Sequence, residues 1–93
     1  MVDELVSKDL LVNRLKRIEG QVRGLEKMIE SGRECEHIVI QLTAVRSAIE
    51  SVGALILKNY MNICFPKESR SESTNIDSLA RAISVWGGIR VGD

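Results

Sequence analysis

The sequence predicts an all-α protein, and three observations predict it. Of its 93 residues 44% are hydrophobic but only 3% are aromatic, so the core is built from Leu, Ile, Val and Ala. Apolar residues recur at steps of three and four along most of the chain, which is one face of a helix. The breakers Gly32 and Pro66 fall between these periodic stretches.

The first helix spans about residues 6–31, where Leu11, Leu15, Ile18, Val22, Leu25 and Ile29 form the apolar face. Gly32 stops it, because the residue after a helix often takes the left-handed conformation. A second helix spans about 34–64, with Ile38, Leu42, Val45, Ile49, Val52 and Ile56 as its stripe, and Pro66 ends it. The polar stretch KESRSESTN reads as a linker. Ile76, Leu79, Ala80 and Ile83 then mark a third helix over about 75–86, capped by Thr74 or Asn75. The closing GGIRVGD, residues 87–93, is expected to be a loose tail. Residues 1–93 make one domain.

Thirteen basic and thirteen acidic residues cancel, so a surface for a polyanion has to be local. The N-terminal MVDELVSKDLL lacks the basic and apolar regions of a signal peptide, and no uninterrupted run of about 18 apolar residues is present to span a membrane. The expected location is the cytoplasm, where the two cysteines are reduced thiols.

A helix of about 31 residues is a rod of roughly 46 Å, whereas a compact chain of this size has a radius of gyration near ~12 Å. One chain cannot wrap that rod. A homo-oligomer is expected, with an antiparallel four-helix bundle as its dimer. On a continuous second helix Cys35 and Cys64 are about eight turns apart, on one face within about 20° but separated by about 43 Å along the axis. They cannot meet within a chain. Antiparallel pairing about an axis between Ile49 and Glu50 brings Cys35 of one copy level with Cys64 of the other, with Tyr60 and Glu34 bordering the pocket.

The segments LVNRLKRIEGQVRGLEKMIESG and NYMNICF, with Cys35 between them, make the chain similar to the CsoR/RcnR family of all-helical bacterial transcriptional repressors over about residues 8–86. The resemblance implies dimers assembling into a homotetramer, binding to double-stranded operator DNA, release when an inducer engages the intersubunit cysteines, and no enzymatic activity. Copper-sensing members resemble this chain but carry His where Tyr60 stands, Tyr at the position of Glu34, and Glu near Ser78. The histidines of nickel and cobalt members are replaced by Asp3, Tyr60 and Cys64, and the second-position proline of formaldehyde members by Val2. What remains is a dithiol, which looks like the persulfide-sensing CstR-like branch.

A bare dithiol has chemistry of its own. Cys35 falls in the first turn of its helix, where the positive end of the helix dipole favours a thiolate, and Cys64 falls in the last turn. Cys35 is expected to attack a persulfide or polysulfide and Cys64 of the other copy to resolve the product, with no cofactor or metal needed. The alternative is Cu(I), held by the thiolates of Cys35 and Cys64 alone. A sulfur-transfer enzyme is a third reading, without a CxxC or a second reactive histidine to support it. His37 lies about 200° round the helix from Cys35 and reads as a solvated residue.

The DNA surface is expected on the first helix. Arg14, Arg17 and Gln21 form a strip beside Gly20 and Gly24, whose spacing allows another backbone or a ligand to approach closely. Lys16 and Arg23 lie on the opposite side, and Arg46 is a candidate from the second helix.

Overall fold

The computed structural model describes residues 6–65 and 72–88, and every regular element among them is helical: α1 (Lys8–Glu30), α2 (Cys35–Lys58), α3 (Tyr60–Cys64) and α4 (Glu72–Gly88). The three expected helices are therefore four. The chain divides into two compact units, residues Lys8–Val52 and the part from Gly53 onward.

In the first unit, α1 and most of α2 pack as a helical pair. The buried side chains are Leu11, Ile18 and Leu25 on α1 and Val45 and Val52 on α2. Each set steps by seven residues, the spacing of a narrow coiled-coil seam rather than a broad face. Leu15, Val22, Ile29, Leu42 and Ile49, expected as core, are 40–63% exposed. The seam consumes half of the stripe and leaves the other half uncovered by its own chain. The most apolar 18 residues of α2 reach a mean hydropathy of 1.4, within the range of a membrane-crossing helix, which counting uninterrupted apolar runs did not reveal. Glu36, Arg46 and Glu50 along α2 favour a protein surface as its cover.

The α1–α2 turn forms as expected. Gly32 has φ +76°, its N–H donates to the Ile29 carbonyl at 3.2 Å, and the Arg33 N–H donates to the Met28 carbonyl at 2.9 Å. That pair of bonds is a Schellman motif, and it satisfies two of the carbonyls that the end of α1 leaves open.

The second helix does not run unbroken to Cys64. Asn59 is buried, and its side-chain amide donates to the Leu55 carbonyl at 3.0 Å while its backbone N–H is shared between Leu55 and Ile56. An Asn that takes its own i−4 carbonyl competes with the helical ladder. At φ −112° and ψ 26° Asn59 closes α2, and its carbonyl then starts α3 by accepting from Asn62 and Ile63. The eight-turn count between the cysteines thus loses its basis, because the phase of α3 is reset at Asn59.

Helix α4 begins before the expected cap, so Thr74 and Asn75 lie inside it, and it continues through residues 87 and 88 of the expected tail. Residues 89–93 fall outside the described part. In the second unit the indole of Trp86 sits so close to Gly53 that a Cβ there would lie 2.5 Å from its Cζ2 atom. Gly53→Ala is expected to unseat Trp86 and destabilise the fold by about 1–3 kcal/mol. Denaturant unfolding followed by fluorescence of this single tryptophan checks it. The loss should shrink in a Trp86→Ala background, and an unchanged midpoint for Gly53→Ala would show that the contact does not hold α4.

Candidate functional site

Cys35 is the first residue of α2, exposed, directly after Glu34, whose carbonyl accepts from the N–H groups of His37 and Ile38. The carbonyl of Glu34 is thus spent on starting the helix, and its side chain is exposed. Cys64 is the last residue of α3, also exposed, and the extended backbone of Phe65 follows it. Both thiols are free. Among the described residues no three of His, Cys, Asp and Glu gather where they would hold a metal ion.

Tyr60 opens α3 and is half-buried. Its hydroxyl shares a 2.9 Å hydrogen bond with the Ser78 hydroxyl of α4, and its ring meets Phe65 edge-on, with centroids 5.8 Å apart and planes at 67°. A part-buried bond of this kind contributes about 0.5–1.5 kcal/mol. The phenol thereby ties the thiol-bearing α3 to α4. Tyr60 and Ser78 also line a largely apolar cavity of about 560 Å³ with Ile56, Leu57, Arg81, Val85 and Trp86. Sequence reasoning noticed Ser78 only as the place of an absent carboxylate. The bond from Tyr60 to it spans 18 residues and leaves no local signature.

Of the expected DNA-binding residues, Arg14, Arg17 and Gln21 line one cavity of about 340 Å³ together with Ser51 of α2, a residue the sequence did not single out. Lys16, Arg23 and Arg46 are exposed and stand outside it. Among the described residues no other backbone comes within 4 Å of where a Cβ would stand at Gly20 or Gly24. A Cβ at Gly20 would meet only Arg23 Nη2, at 4.0 Å, and one at Gly24 nothing.

Residues 7–85 match the family described as "Metal-sensitive transcriptional repressor". The chain belongs to this family. It is 46% identical over 57 residues to the copper-sensing transcriptional repressor CsoR of Bacillus subtilis strain 168, covering 61% of this chain and 56% of that one. The CsoR of Mycobacterium ulcerans strain Agy99 is 36% identical over 87 residues, 89% of this chain and 74% of the relative. Among solved structures, the nickel-responsive transcriptional regulator InrS superposes with a TM-score of 0.69 at 37% identity, covering 85% of this chain and 91% of that one. The match spans little more than half the length of the Bacillus relative. This chain carries two free thiols, and Tyr60, bonded to Ser78, stands on the same short helix as the second of them.

Proposed function

We propose that this chain is a transcriptional repressor that binds double-stranded operator DNA and is switched at a dithiol, Cys35 of one copy with Cys64 of a second. It works as an antiparallel dimer assembling into a tetramer, and it is not an enzyme. The uncovered Leu15, Val22, Ile29, Leu42 and Ile49 support assembly, since apolar surface on this scale calls for a partner. The family supports DNA as the target.

For the inducer, the relatives named copper-sensing support Cu(I) better than the reactive sulfur species that the sequence suggests. The donor chemistry fits Cu(I) in part. Two soft thiols suit the ion, while the phenol of Tyr60 is a hard oxygen already bonded to Ser78. That bond is the observation that keeps the sulfur reading as the second one. In it, the Cys35 thiolate attacks a sulfur of an organic polysulfide and one thiolate or persulfide anion leaves. Cys64 of the other copy then attacks the Cys35-bound sulfur chain and expels the second anion, so that the polysulfide is reduced by two electrons as the two cysteines become bridged.

Titrating the complex with duplex DNA from upstream of the chain's own coding region decides between them. Release by about one Cu(I) per site, with no response to polysulfide, is the result expected of a copper sensor. Release by polysulfide with a mass increment bridging Cys35 and Cys64 is that of a sulfur sensor. No release by either overturns the dithiol switch.

A further inference from the structure

We propose that the thioether of Met61 is a third, soft donor beside Cys64, completing with Cys35 of the second copy an all-sulfur site for Cu(I). The assignment rests on the copper reading above and names the donor that reading lacks. It starts from Asn59, which ends α2 and gives α3 (Tyr60–Cys64) a phase of its own. At about 100° per residue, Cys64 then lies between the two side chains one turn behind it, with Tyr60 about 40° to one side and Met61 about 60° to the other.

These two neighbours have different surroundings. Tyr60 is turned toward α4, since its hydroxyl shares a 2.9 Å hydrogen bond with Ser78 and its ring lines the cavity that holds Trp86. Met61 is half-buried and lines no part of that cavity. The break at Asn59 therefore commits the phenol to α4 and leaves the thioether as the partner of the exposed thiol. Asn62 and Ile63 complete α3, and neither offers sulfur.

The donor chemistry favours the thioether. Thiolate and thioether are the ligands that select Cu(I), whereas a phenol oxygen suits harder ions. Met is unbranched and adaptable, so its sulfur can reach a neighbouring position with little movement of the backbone. On loading, each of the two thiols loses its proton to solvent, while Met61 gives a lone pair and no proton. An imidazole donor is lost to protonation below about pH 6.5; the thioether is not.

The test is copper K-edge X-ray absorption of the full chain, grown with selenomethionine at its three Met positions and loaded with Cu(I). The parent is expected to show a copper–selenium shell beside two sulfurs. Met61→Leu keeps the volume of the side chain, so light scattering should show the parental assembly. It is expected to lose the selenium shell, leave two-coordinate copper, and bind Cu(I) about 10- to 100-fold more weakly in competition with bathocuproine sulfonate. A parent that takes up Cu(I) with sulfur neighbours and no selenium overturns the role of Met61 and leaves the copper reading standing. A selenium shell that survives Met61→Leu overturns it too, by placing the third donor at Met1 or Met28. A parent that takes up no Cu(I) overturns the copper reading, and this assignment with it.

Discussion

Changing either thiol to serine is expected to leave DNA binding within about three-fold of the parent and to remove the inducer response entirely. An allosteric coupling of about 1–3 kcal/mol corresponds to a release of roughly 5- to 150-fold, and in the proposed switch all of it runs through the dithiol. Cys35→Ser and Cys64→Ser homodimers each contain no complete site. In the proposed antiparallel dimer a mixture of the two regains one, because Cys64 of one copy would face Cys35 of the other. Partial recovery of release on mixing, provided subunits exchange, is therefore the signature of an intersubunit site, and no single-chain site gives it. The crosslink formed under oxidation should join Cys35 to Cys64 in a peptide map. The break at Asn59 makes this a demanding test, since α3 carries Cys64 on an axis that α2 does not dictate. A map showing only Cys35 joined to Cys35 would overturn the antiparallel register.

The second large effect concerns DNA. Arg14→Ala with Arg17→Ala is expected to weaken duplex binding by about 100-fold or more and to make the plot of log affinity against log salt shallower by about two units. The two arginines line one cleft, so the expected loss includes bidentate contacts as well as charge. Both are exposed, and their removal should not disturb the assembly or the reaction of the thiols. Arg46→Ala, outside the cleft, is expected to reduce the salt dependence with a much smaller loss at any one salt concentration. Anisotropy titrations at four or five salt concentrations separate the two behaviours. If the double variant binds like the parent throughout, the strip on α1 is a solvated face.

Local interactions account for what could be read from the residues in order. Periodicity of three and four places α1 and α2, since side chains within a turn of one another decide which face is apolar. Gly32 announces its turn because a positive φ and two backbone bonds within six residues are all the motif requires. The thiols and the arginines of α1 are readable as residue types, and the family match covers the stretch that holds them, but the spacing between the thiols is not, because α2 ends at Asn59. Contacts between residues far apart in the chain decided the rest. Asn59 reads as one more polar residue on a helix until its burial and its bond to Leu55 show that it ends α2. The seventh-residue seam of Leu11, Ile18, Leu25, Val45 and Val52 is chosen by the facing helix, because the apolar stripe is wider than one partner covers. Tyr60 finds Ser78, Trp86 finds Gly53, and Ser51 joins Arg14 and Arg17 only after two helices have packed. Side-chain chemistry is written at each position, whereas the partner it meets depends on the distance and angle between axes, which no local pattern encodes.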